Sequence, residues 1–175
     1  MTHIRAAALG GILVTLGAAG AAQAQATTDQ CPVSKTDWTV CLTDSPKQCW
    51  AASAPKSVVN RRGGQVVDAR RGDILMFVVY QPDAGVKGQV TFTGGYPFAD
   101  GSTVELKIGG SSWTMATDDE YAWPAAEDDA EIVAAMKRGA QAVVTGRSGR
   151  GTVTTDTFSL IGFTAAVDET AKRCE

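Results

Sequence analysis

The stretch from Gly94 to Gly110, GGYPFADGSTVELKIGG, holds five glycines, a proline and two aromatics in seventeen residues. It reads either as a glycine-rich loop that cradles a ligand or as a turn that leads into a strand. Thr103 to Ile108 decides between the two. Val104, Leu106 and Ile108 alternate with Thr103, Glu105 and Lys107, the pattern of a half-buried antiparallel strand. Asp100-Gly101 is a pair that favours tight turns needing positive φ, and Gly109-Gly110 sends the chain into a second strand from Ser112 to Ala116. A phosphate cradle needs a helix after its glycines, so that free amides and the helix dipole meet the anion. A strand follows instead, and the stretch is read as a turn.

The flanking sequence has the same character. Upstream, Ile74 to Tyr80 is continuously apolar and rich in β-branched and aromatic residues, as expected of a strand buried on both faces. Gln65 to Ala69 precedes it as a short strand, with a turn near Arg71-Gly72-Asp73, and Gln89 to Thr93 follows it. Earlier still, WTVCLTDSPKQCW (38–50) reads as two short strands around the turn formers Asp44, Ser45 and Pro46. Downstream, WPAAEDDAEIVAAMKRGA (123–140) predicts a helix that starts near Pro124 and stops at Gly139. Glu127, Asp128 and Asp129 fill its first turn, and Lys137 and Arg138 its last, each complementing the helix dipole. Such acids could hold calcium or form a catalytic carboxylate pair, but capping chemistry alone selects them. Ala142 to Thr145, a GRSGRG turn (146–151) and a long strand within Thr152 to Phe163 follow. Ala165 to Lys172 adds a helical turn or two before Cys174. The expected fold is mainly β, an antiparallel β-sandwich or flattened barrel with one α-helix, cross-linked by disulfides.

The N-terminal residues MTHIRAAALGGILVTLGAAGAAQAQA are set apart from this fold. A charged start, an apolar run from Ala6 to Gly20, and small residues at Ala22-Gln23-Ala24 and Ala24-Gln25-Ala26 mark a secretory signal over residues 1–26. The run is too short and too rich in Ala and Gly for a membrane anchor. Residues 27–175 are then one domain, starting near Gln25 or Thr27, exported to the periplasm or secreted, with no membrane span after cleavage. The chain is mildly acidic, with net charge −3, and nothing in that balance points to nucleic acid.

Removing the signal also removes His3, the single histidine. A Ser-His-Asp triad, a Cys-His pair and any His-based metal site all need a side chain that the remaining chain lacks. Neither catalytic nor metal-ligating nor cofactor-binding residues are assigned, and no cofactor is expected. Four cysteines, Cys31, Cys41, Cys49 and Cys174, suit disulfides in an exported chain, with three possible pairings. A zinc site would want paired short spacings, which are missing. Cys41–Cys49 is expected to close the hairpin across Pro46, and Cys31–Cys174 to tie the chain ends together.

GGYPFADGSTVELKIGG, the helix ending Met-Lys-Arg-Gly, Phe-Ser-Leu-x-Gly-Phe and the upstream Trp-x-x-Cys together resemble the invasion-associated locus B family. The resemblance extends over nearly all of the chain after the signal. It implies a small exported envelope protein of alphaproteobacterial type and brings no catalytic residues with it.

Three functions compete. The first is a non-enzymatic binding or envelope-maintenance module, whose partner is an envelope protein or an anionic envelope component. Tyr96, Phe98, Trp113, Tyr121 and Trp123 are its candidate aromatic contacts, although core or turn packing accounts for each of them more simply. The second is a cell-wall hydrolase working through two carboxylates, with Asp100, Asp118, Asp119, Glu120 and Glu127 to Asp129 as candidates. The third is a periplasmic chaperone accepting a client strand on a long sheet edge free of Pro and Lys. Most of the arginines sit in two short segments: Arg61, Arg62, Arg70 and Arg71, and Arg147 and Arg150. Either they are solvated turn residues on separate faces, or the fold gathers them into a patch that forks onto phosphate or carboxylate groups.

Overall fold

The computed structural model describes residues 30–175; the signal expected over residues 1–26 and the chain start expected near Gln25 or Thr27 lie outside the described residues. In chain order the elements are β1 (Gln30–Lys35), β2 (Trp38–Asp44), β3 (Lys47–Ser53), β4 (Ser57–Arg62), β5 (Gln65–Val66), β6 (Leu75–Gln81) and β7 (Val86–Thr93). Next come β8 (Thr103–Ile108), β9 (Ser111–Asp118), β10 (Tyr121–Pro124), α1 (Asp129–Arg138), β11 (Gln141–Arg147), β12 (Val153–Ser159) and α2 (Phe163–Arg173). The strands form one antiparallel sheet in the order β1-β2-β3-β6-β7-β10-β9-β8-β11-β12-β4-β5. The mainly-β antiparallel expectation holds, with a sheet that stays open and carries two edges.

That sheet is strongly curled, and one connection requires it. β3 and β4 stand eight positions apart in the sheet, about 38 Å if it were flat. Only residues 54–56 join them, a reach of about 14 Å at most. Curling brings the inner faces of distant strands into contact, so that the Phe92 ring of β7 meets Phe158 of β12 edge-on at 6.1 Å. Val104, Leu106 and Ile108 all point into this core, as their alternation predicts. β6 is buried on one face only: Met76 and Val78 are fully enclosed, while Leu75, Phe77 and Val79 are half-buried.

Two helices close the ends. α1 presses Ile132 and Met136 into the core beside β7. It begins at Asp129 and not near Pro124, which is the last residue of β10 paired with Met115. Asp129, in the first turn after the N-cap Asp128, turns its carboxylate to the sheet and accepts the Val90 backbone N–H at 2.8 Å. β10 reaches only as far as Phe92 along that edge of β7, so the side chain takes over where the ladder stops. The expected last helical turns are a full second helix, α2, lying over β2 and β3, with Phe163 edge-on to Trp38 at 4.8 Å.

The disulfides are Cys31–Cys41 and Cys49–Cys174, which corrects the pairing expected from sequence. The reason is parity. The β2–β3 hairpin pairs Asp44 with Lys47, so Cys41 lies opposite Trp50, and Cys49 opposite Leu42. Side chains alternate faces along a strand, which puts Cys41 and Cys49 on opposite sides of the sheet. Cys49 shares its face with α2 and meets Cys174 at the helix end. Cys41, on the other face, is buried against β1, where it bonds Cys31.

Candidate functional site

The arginine segments converge where the sheet's far edge curls over. β4 pairs with β12, setting Asn60 opposite Thr154 and Arg61 opposite Val153. After β5 the chain runs back across this face, and its Arg70–Gly72 segment crosses over Gly94–Gly95. The Gly72 N–H donates to the Gly95 carbonyl at 2.8 Å. A Cβ on Gly95 would stand 2.6 Å from the Gly72 carbonyl oxygen, and Gly95 has φ 68°, so only glycine admits the crossing. The same stretch then pairs with the β11–β12 turn, through Ala99 N–H to the Arg147 carbonyl and Gly149 N–H to the Pro97 carbonyl.

Between these segments lies a cleft of about 540 Å³. Arg62, Arg70, Arg71 and Arg150 line it with Asp68 and Glu120, over a floor of Tyr96, Ser148, Thr152 and Thr154. The turn reading of the opening stretch holds at Gly101, where φ is 66° and the Ser102 N–H closes onto the Ala99 carbonyl. Its first residues do more than turn, because Gly95, Tyr96 and Pro97 form one wall of the cleft.

Arg71 belongs to the frame. Its guanidinium grips Asp156 through Nη1 at 2.7 Å and Nη2 at 2.5 Å, and donates to the Gly94 carbonyl from Nε and to Asn60 from Nη1. The Tyr96 ring lies against it at 5.0 Å. The side chains are 5% and 0% exposed, so the pair is sealed from water. Burial pushes the Asp156 carboxyl above its ordinary range, although Arg71 pulls it back. Burial also raises the Tyr96 hydroxyl, which hydrogen-bonds Thr154.

The other three arginines are differently placed. Arg62 donates from Nε and Nη2 to the Thr152 hydroxyl, at 3.2 and 2.8 Å, and so has donors to spare. Arg70 and Arg150 are exposed. None of the three forms an ion pair among the described residues. Arg61 and Arg147 are not part of the cleft: both flank Val153 on the outer face, one from each neighbouring strand. The fold therefore gathers four of the six sequence-named arginines and turns two away.

Residues 64–171 match the family described as invasion associated locus B (IalB) protein. The chain belongs to that family. No curated protein and no solved structure matches it. The IalB match runs from β5 into α2 and takes in Arg70, Arg71, Tyr96, Arg150 and Asp156. Arg62 and the three cysteines of β1–β3 precede it.

The remaining IalB candidates are scattered. Of the acids considered for hydrolysis, only Glu120 reaches the cleft, where it stands half-buried with Asp68, an exposed acid that sequence reading did not single out. Both face an open cleft lined by arginines, and the other candidate acids do not line it. Phe98 and Trp113 are core residues, Tyr96 is cleft wall, and Tyr121 and Trp123 stack on the outer face of β10. Among the described residues the sheet edges are β1, which carries Pro32 and Lys35, and the far side, where the two-residue β5 covers only Arg61 and Arg62 and leaves the start of β4 as a short edge. β1 is blunted by its Pro and Lys, and the uncovered part of β4 is only a few residues long, so neither edge is the long one free of Pro and Lys that a client strand would want. Among the described residues no helix is long and apolar enough to cross a membrane, and no three potential metal ligands cluster.

Proposed function

We propose that this IalB-family protein is exported and acts by binding, holding an anionic component of the cell envelope in the arginine cleft. One observation carries the reading: Arg62, Arg70 and Arg150 line a single cavity without carboxylate partners among the described residues, on a frame already fixed by the Arg71–Asp156 pair. Guanidinium groups fork onto phosphate or carboxylate oxygens in two-pronged geometry. A frame that is ordered beforehand lowers what binding must spend on ordering side chains. The signal-like N-terminus and the lack of any histidine beyond His3 support export and binding over catalysis.

The test is binding of the purified protein to envelope fractions at rising ionic strength. Wild type should bind and release as salt screens the contact, and Arg70→Ala/Arg150→Ala should bind weakly at every salt concentration. Binding indifferent to both salt and substitution would overturn the proposal. Mass spectrometry of protein recovered from the periplasm or medium should show a start near Gln25 or Thr27; an intact Met1 would count against export.

A further inference from the structure

We infer that the cleft takes a phosphorylated amino sugar, with the phosphate on the arginines and the ammonium group on Asp68 and Glu120. The inference rests on reading the cleft as a binding site and says what that site selects. The decisive feature is that both signs of charge line one cavity without pairing. Arg62, Arg70 and Arg150 stand with Asp68 and Glu120, yet no nitrogen of the three arginines lies within 4.0 Å of either carboxylate. A site for a polyanion such as nucleic acid would gain nothing from two acids in its wall, since each repels the ligand. A site for a ligand carrying one strong anion and one cation uses both.

The charge balance agrees. Three free guanidinium groups against two carboxylates leave one positive charge in the cleft. A phosphate monoester carries roughly −1.5 to −2 at neutral pH, and an ammonium group offsets one of those charges, so the ligand is close to the cleft's complement. Arg71 lines the same cavity but is committed to the frame: four of its five N–H donors go to Asp156, Asn60 and Gly94. The Ser148, Thr152 and Thr154 hydroxyls beneath are buried and already bonded within the protein, and the half-buried Tyr96 supplies a partly apolar wall for a ring face. At about 540 Å³ the cavity lies within the roughly 300–1,000 Å³ of small-ligand sites.

The experiment is calorimetric titration of the whole protein at pH 7 with glucosamine 6-phosphate, glucose 6-phosphate, phosphoethanolamine and inorganic phosphate. Glucosamine 6-phosphate should bind about tenfold more tightly than glucose 6-phosphate, on the scale of one charge-assisted contact. Asp68→Asn/Glu120→Gln should erase that preference and leave glucose 6-phosphate binding intact, while Arg62→Ala or Arg150→Ala should weaken every phosphate ligand. Equal affinity for the two sugar phosphates overturns the amino-sugar assignment and leaves the anionic cleft standing. Phosphoethanolamine binding as tightly as glucosamine 6-phosphate overturns the sugar part of the assignment. Failure of all four ligands to bind overturns the phosphorylated amino-sugar assignment, and salt-dependent binding to envelope fractions then decides the anionic cleft separately. Unchanged thermal melts of the exposed Arg62 and Arg150 variants keep a loss of affinity from being a loss of fold.

Discussion

Arg71→Met tests the frame on which the cleft depends. The substitution keeps an unbranched chain of similar length but strands the Asp156 carboxylate, which is 0% exposed and loses both guanidinium bonds at once. Breaking a buried pair from one side costs about 3–5 kcal/mol, because an uncompensated charge is left behind. For a domain of this size each kcal/mol moves the melting temperature by about 2–4 °C, so the expected drop is about 6–20 °C. The penalty must also depend on pH, with a definite sign. Burial already holds the Asp156 carboxyl above 3.8, and Arg71 is what pulls it down. Without Arg71 the folded-state value rises further. Stability is then fully present below the unfolded carboxylate range and is lost as pH rises through the folded value. Urea unfolding at pH 7 and pH 4 should therefore give a larger gap between variant and wild type at pH 7. Arg71→Met/Asp156→Leu removes both charges and should recover most of the loss, since well-packed apolar replacements of buried pairs are often neutral. A single variant within about 1 kcal/mol of wild type at pH 7, or a penalty independent of pH, would refute the reasoning.

The disulfides and Asp129 give further checks. Cys49–Cys174 spans 125 residues, and in the chain-entropy argument its removal by paired Ser substitutions should cost about 5 kcal/mol. Cys31–Cys41 spans 10 residues and should cost about 3 kcal/mol. Non-reducing peptide mapping that recovers Cys41 joined to Cys49 would contradict the register from which both values follow. Burial raises the Asp129 carboxyl above 3.8, outweighing the Val90 N–H that it accepts, so its ionisation favours the unfolded chain. Asp129→Asn keeps an acceptor for Val90 and removes the charge. The variant should lose less stability than wild type as pH rises above 3.8, and parallel pH profiles would show that Asp129 ionises without cost.

Local pattern made much of the fold legible. β8 follows from strict alternation, and α1 from its charged ends, because both signals lie within one element. The cysteine pairing was legible too, but only through a count. A two-residue turn at Ser45-Pro46 pairs Asp44 with Lys47, and three steps further that register places Cys41 opposite Trp50 and not Cys49. A hairpin drawn one residue out of register puts both sulfurs on one face, and the predicted pairing came from that slip. The curl of the sheet could not be read locally, since it is expressed in pairings such as β4 with β12, almost a hundred residues apart.

The cleft carried one sequence signal that reading by composition passes over. Thr154, Asp156 and Phe158 alternate on one face of β12, and Phe158 marks that face as core. An acid at such a position must be neutralised or paired. In a chain without histidine after His3, the partner must be a Lys or Arg brought from elsewhere. Sequence proximity made Arg70 and Arg71 look equivalent, yet their environments assign them opposite tasks. Arg71 faces the buried acid and builds the cavity, while Arg70 faces solvent and leaves its charge for a ligand. Substituting both together would confound a folding defect with a binding defect. Only the arginines free of carboxylate partners, Arg62, Arg70 and Arg150, can report on recognition separately from the frame that presents them.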